Sequence, residues 1–232
     1  MSRRNKLQKF AELLHFNNVY ENFDPRHPEL IGPGGLPVTI SGAWGATHFG
    51  NDHPITLELA CGRGEYSLGL ARRFPDRNFI GIDIKGARIW KGASIALEEN
   101  LTNVAFLRTR IEQVANFFEP GEVAEIWITF PDPFLKDSKA NRRLTAPGFL
   151  AEYQQILRPG GLIHLKTDSP ELYAFTLEEA LPEYPRAKLL FHDDDIYSKP
   201  LPMPELEIKT YYEKMHLRDG KTIKYIRLQF TG

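Results

Sequence analysis

Three acids and a pair of glycines carry the most readable chemistry in this 232-residue chain. Gly62 and Gly64 close the stretch Leu57-Glu58-Leu59-Ala60-Cys61-Gly62-Arg63-Gly64-Glu65, after an apolar run from Ile55 to Ala60 and before a helix-period segment from Glu65 to Phe74. Glycines there let backbone N–H groups come close to a ligand, and the first turn of a helix favours polar contacts to it. Asp83 ends the next apolar run, Asn78 to Asp83, and lies 21 residues after Gly62. That is the spacing at which a carboxylate meets a ribose diol. Loop and acid together predict an adenosine-bearing ligand, against the plainer reading of a structural tight turn.

The identity of that ligand turns on charge and on one missing glycine. A dinucleotide fingerprint wants glycine or alanine three residues after Gly64, and Ser67 stands there. Glu58 and Glu65 bring negative charge to the turn, which suits a cation better than a pyrophosphate. S-adenosylmethionine has a sulfonium, an ammonium and a ribose but no phosphate, so it fits. The rival is an NAD(P)-dependent oxidoreductase, weakened by Ser67 and by the lack of an evident partner for hydride transfer.

The third acid is Asp132, in Phe130-Pro131-Asp132-Pro133-Phe134-Leu135-Lys136. The prolines fix φ on both sides and push the residues before them to extended backbone, so the carboxylate rides on a stiff segment. Lys136, Lys139, Arg142 and Arg143 follow, against the single acid Asp137, as a candidate phosphate-binding stripe or a solvated face. Thr167-Asp168 ends a later apolar run. Asp168 reads as an acceptor for a base edge or as the N-cap of the helix expected from Pro170, and the two roles do not exclude each other.

Such residues need a sheet to hold them. Strands are expected over 55–60, 78–83, 103–107, 124–130 and 162–167, and helices over 65–74, 87–99, 111–118, 146–157 and 170–180. Alternation of this kind means a parallel, doubly wound α/β sheet whose ligands lie beyond the carboxyl ends of the strands. Asp219-Gly220, between residues 208–217 and 222–230, predicts a C-terminal hairpin that adds an antiparallel edge. The expected domain is 53–232, a mostly parallel, seven-stranded sheet.

Ahead of it, residues 1–52 read as a basic arm and a wrapping segment. Arg3, Arg4, Lys6 and Lys9 have no acid among them, and Asp24 to Asp52 is rich in proline and glycine. The arm is either an RNA grip or a solvated terminus. Trp44 and His48 read as packing groups. A net charge of −1 decides nothing about nucleic acid, and with 42% hydrophobic residues the chain can fill one sizeable core. The single cysteine, Cys61, excludes an internal disulfide and a multi-cysteine zinc site, and no metal is expected. No apolar run approaches a membrane span, so a cytoplasmic protein without membrane contact is expected, monomeric or homodimeric.

From Glu58 onward the chain resembles the bacterial tRNA (guanine-N(7)-)-methyltransferases. The resemblance rests on Glu58 to Glu65, on Phe79-Ile80-Gly81-Ile82-Asp83-Ile84-Lys85, on Phe130 to Pro133 with the cations after it, on Thr167-Asp168 and on Thr210-Tyr211-Tyr212-Glu213. It implies a Rossmann-like class I methyltransferase that moves a methyl group from S-adenosylmethionine to guanine N(7) in the tRNA variable loop. It also implies cofactor contacts at Glu58, Gly62, Gly64, Asp83, Arg110 and Asp132, catalysis by Asp132, and tRNA contacts at Lys136, Asp168, Thr210, Tyr211, Tyr212 and Glu213. Ala60 stands where the family usually has its first glycine. Arg110 stands where many members carry an acid near the adenine, so backbone groups would take over that contact. A non-catalytic RNA-binding subunit with the same fold is the remaining alternative, against which Asp83 and Asp132 argue.

Overall fold

Residues 5–231 are described by the computed structural model, whose chain divides into two units, one ending at Glu119 and the other beginning at Pro120. Arg3 and Arg4 of the expected basic arm lie outside the described residues.

The first unit opens with helix α1 (Lys6–Leu13), capped by Asn5, whose side chain accepts from the Gln8 N–H while the Gln8 side chain accepts from the Asn5 N–H. Strand β1 (Val19–Glu21) precedes the proline-rich stretch, and then come β2 (Ile55–Leu59), α2 (Glu65–Arg73), β3 (Asn78–Asp83), α3 (Gly86–Glu98) and β4 (Val104–Arg108). All four strands are parallel: β1 pairs with β4, β4 with β3, and β3 with β2. Every residue of β2 and β3 is buried, which is why both read as unbroken runs and not as alternation.

Phe106 on β4 fills space that three glycines leave. A Cβ built at Gly64, Gly81 or Gly92 would come within 2.4, 3.0 and 2.9 Å of its ring. Trp44 is fully buried and donates from Nε1 to the Phe117 carbonyl, so this residue does pack as expected. Burial pulls His48 down to about 4, leaving a neutral ring 2.9 Å from the Tyr20 hydroxyl.

The second unit contains β5 (Val123–Thr129), α4 (Pro147–Ile156), β6 (Leu157–Thr167), α5 (Pro170–Phe175), α6 (Leu181–Glu183), β7 (Ala187–Asp193), α7 (Tyr211–Arg218) and β8 (Lys224–Phe230). β5 and β6 are parallel, and β8 runs antiparallel to both β6 and β7. Among the described residues each unit therefore has four strands: β2 to β8 give the seven expected, β1 adds an eighth ahead of them, and the antiparallel edge is present. Its composition differs from the expected hairpin: residues 211–218 are helical, and β8 takes β7 as its partner. The reason is a capping box. Thr210 Oγ1 accepts from the Glu213 N–H and Glu213 accepts from the Thr210 N–H, starting a helix where the hairpin signal called for a strand. Asp219 and Gly220, the latter at φ +74°, then end that helix.

Candidate donor loop and acceptor-side segment

In the first unit the carboxyl ends of β2 and β3 carry the expected donor residues. Gly62 and Gly64 have φ of +58° and +65°, left-handed backbone that glycine adopts freely. Ala60, in the place of the family's first glycine, also sits there at φ +56°, so the loop has the glycine conformation with an alanine bearing the strain. Asp83 locks the loop from the neighbouring strand. Its Oδ2 accepts from the Gly62 N–H at 2.9 Å and its Oδ1 from the Lys85 N–H at 2.8 Å. A carboxylate held twice by backbone keeps further lone-pair directions for a diol.

Glu58 is almost completely buried and faces the helix. Its Oε2 accepts from the Ser67 N–H at 2.8 Å and from the Ser67 hydroxyl at 2.5 Å. A carboxylate against the first turn of α2 is favoured by the helix dipole, and it makes Ser67 a partner of Glu58 nine residues away. Sequence reasoning used Ser67 only to count against a dinucleotide and missed this bond.

The fit to an adenosine-bearing donor can be tested on the loop itself. A Cβ built at Gly62 meets nothing within 4 Å, so that face of the loop is open. Nearby, Arg110 lines a hollow of about 180 Å³ with Asn22, Phe23, Ile84 and Gln113. Phe23 and Ile84 are large, apolar and half exposed. Open backbone, a diol-spaced acid and apolar walls suit a nucleoside. Burial, together with the Glu58 and Asp83 charges, drives the Cys61 thiol well above its usual range, so it is no nucleophile.

In the second unit Asp132 is exposed on the segment that leaves β5. It accepts from the Phe134 N–H at 3.2 Å. Phe130 and Phe134 both have positive φ, +50° and +44°, conformations that cost bulky residues on the order of 1–3 kcal/mol each. Arg143 holds this strained segment in shape. It is only 4% exposed and donates from Nε to the Pro133 carbonyl and from Nη2 to the Phe134 carbonyl, with its guanidinium 4.4 Å from the Phe175 ring centroid. Arg143 is thus a brace, and the expected stripe of four cations is corrected to Lys136, Lys139 and Arg142 on the surface.

Asp168 does not cap the helix after it, because Ser169 does, accepting from the Leu172 N–H. Asp168 instead meets the Lys221 ammonium at 2.6 Å, with His216 Nδ1 at 3.5 Å. Within the Thr210 to Glu213 stretch the outer residues are interior and the inner ones exposed. Thr210 and Glu213 are buried in the cap, whereas Tyr211 and Tyr212 are 54% and 48% exposed with ring centroids 5.7 Å apart. Glu213 is tied down by Lys166 Nζ at 2.7 Å and the Tyr197 hydroxyl at 2.5 Å.

A methyltransferase family model, Methyltransf_4, matches residues 52–226. A tRNA (guanine-N(7)-)-methyltransferase of Bacteroides thetaiotaomicron is 46% identical over 226 residues, covering 97% of this chain and 86% of the relative. The chain belongs to the tRNA (guanine-N(7)-)-methyltransferase family. A family member from Porphyromonas gingivalis is 56% identical over 188 residues, 81% of this chain and 75% of its own. Among solved structures, the 16S rRNA methyltransferase KamB aligns with a TM-score of 0.64 at 18% identity, covering 86% of this methyltransferase and 98% of KamB. That likeness is one of fold, the Rossmann-like α/β methyltransferase fold expected from the sequence. Among the described residues no group of His, Cys, Asp and Glu could hold a metal, and no helix is long and apolar enough to cross a membrane.

Proposed function

We propose that this methyltransferase transfers the methyl group of S-adenosylmethionine to guanine N(7) in the variable loop of tRNA. The observation that carries the reading is Asp132: an exposed carboxylate on a proline-flanked segment, braced from behind by Arg143, in a chain of this family. The donor supplies an electrophilic methyl carbon on a sulfonium. Glu58 shapes the loop through Ser67, Gly62 and Gly64 open it, Asp83 is offered to the ribose, and Arg110 with its hollow borders the base.

On the acceptor side, guanine N(7) has an in-plane lone pair, so no base is needed to create the nucleophile. Methyl transfer to N(7), with the donor released as a neutral thioether, would leave positive charge on the purine. Asp132 accepts from the donor edge of the guanine and stabilises that charge, so its work is orientation and electrostatics. Lys136 contacts phosphate, Tyr211 and Tyr212 offer ring faces to unstacked bases, and Asp168 offers an acceptor. Thr210 and Glu213 act by holding the two tyrosines. The chain is proposed to work in the cytoplasm, where tRNA is found.

Incubation with labelled S-adenosylmethionine and bulk tRNA, followed by mapping of the modified base, tests the proposal. Label on guanine N(7) of the variable loop is the expected result. Label elsewhere, or none, would refute it.

A further inference from the structure

The first unit carries a cationic face that none of the residues discussed so far explains. Helix α1 packs on α3: Trp90 Nε1 donates to Glu12 Oε2 at 2.7 Å, and Lys9 Nζ lies 4.8 Å from the Trp90 ring centroid. Beside that contact α3 exposes Lys85 at its N-cap, then Arg88 and Lys91, three residues apart and therefore neighbours on one surface. Lys6 continues the set along α1, over the Phe10 ring.

What marks these residues is that five cations gather on two packed helices with no carboxylate paired to them. Several cations elsewhere meet carboxylates: Arg72 meets Glu99 at 2.7 Å, Arg108 meets Glu21 at 2.8 Å, Lys199 meets Asp193 at 2.7 Å and Lys221 meets Asp168 at 2.6 Å. Lys6, Lys9, Lys85, Arg88 and Lys91 form no ion pair with any described carboxylate. The one acid between the helices, Glu12, is engaged by Trp90, and the exposed Glu98 lies at the far end of α3. The face begins next to the donor loop, since the Lys85 N–H binds the same Asp83 carboxylate that holds Gly62.

We infer that this α1–α3 face binds the sugar-phosphate backbone of the RNA substrate, with Arg88 and Lys91 as its centre. Unpaired cations at the rim of a donor site gain most from a polyanion, because each phosphate neutralised releases a condensed counterion. The contact would be indifferent to sequence and would set how tRNA lies, while the acceptor-side segment selects the base. The inference rests on tRNA being the substrate, as proposed above.

The test compares wild type with Arg88→Gln/Lys91→Gln and with Arg72→Gln, a paired cation outside the face. Both side chains of the double variant are exposed, so folding is not at stake. Binding of bulk tRNA is measured between about 50 and 200 mM salt, alongside calorimetry with S-adenosylmethionine. For the double variant, roughly tenfold weaker tRNA binding and a log–log salt slope shallower by about 1.5–2 are expected, with donor affinity unchanged. Arg72→Gln should match wild type. If wild type methylates tRNA and the double variant binds it with wild-type affinity and slope, this inference alone fails. If wild type neither binds nor methylates tRNA, the substrate reading fails and takes this inference with it.

Discussion

Lys166 Nζ lies 2.7 Å from Glu213 Oε1 with both side chains fully buried, and the ammonium also donates to the carbonyls of Leu206 and Ile208. The pair joins β6 to the first turn of α7, beneath Tyr211 and Tyr212. Burial drives Lys166 down to about 8 from its usual 10.5, against the Glu213 charge, which pulls it back up. Between those two pH values the unfolded chain keeps a proton that the folded chain has released, so this group makes stability rise with pH across that window. Lys166→Met should remove the rise. It should also cost roughly 3–5 kcal/mol near neutral pH by leaving Glu213 without its cation. Urea unfolding of both proteins at about pH 7.5 and pH 10 measures both effects, and parallel pH dependences would count against the account.

Arg143 predicts a loss of turnover without a loss of RNA affinity. Arg143→Lys keeps the charge but cannot bridge the Pro133 and Phe134 carbonyls with one planar fork. Turnover is expected to fall at least about tenfold, since small misplacement of an orienting group is costly, while the salt dependence of tRNA binding stays put. A changed salt slope would return Arg143 to the phosphate-binding stripe.

Asp132→Asn removes the charge and keeps the shape. Most of the turnover should disappear, with calorimetric affinity for S-adenosylmethionine preserved. Near-normal methylation by this variant would strip Asp132 of its orienting role.

The two loop glycines should fail differently. Gly64→Ala drives a Cβ to 2.4 Å from Phe106 on top of a left-handed backbone, so stability should fall by more than about 2 kcal/mol. Gly62→Ala meets open space and should cost only about 1 kcal/mol, yet it places a methyl where the donor is expected and should weaken donor binding. Equal stability losses in thermal unfolding would contradict this.

Ala60→Gly is the opposite case. Relief of the left-handed strain, about 1–2 kcal/mol, outweighs the entropy glycine adds to the unfolded chain, about 0.5–1 kcal/mol. A small rise in Tm is expected, and a fall would show that the Ala60 methyl contributes packing that its backbone conformation conceals.

Much of the donor side was legible because its signals are local. The fully buried strands β2 and β3 read as apolar runs, and the glycine turn and Asp83 follow from spacing within one βαβ unit. What was hidden lies in partnerships between distant residues. Nothing in the sequence pairs Glu58 with Ser67, or sets Arg143 apart from Lys136, Lys139 and Arg142, until the segment folds back on itself. Around Asp219-Gly220 the signal was present and outranked. A capping box from Thr210 to Glu213 decided for α7, and the turn dipeptide served as a helix stop. The three-residue strand β1 was too short to show any period.

Phe106 has a bearing on how this protein can vary. One ring lies against the built Cβ positions of Gly64, Gly81 and Gly92, so the four sites share a single volume. A larger residue at Gly64 or Gly81 forces the ring to yield, and a smaller residue at 106 opens room toward both, while Gly92 is hemmed in by the Arg63 backbone as well. Substitutions here should be strongly epistatic: alanine at Gly64, harmful alone, should cost less once Phe106 is leucine, whereas alanine at Gly92 stays blocked by the Arg63 carbonyl oxygen 2.4 Å from its built Cβ.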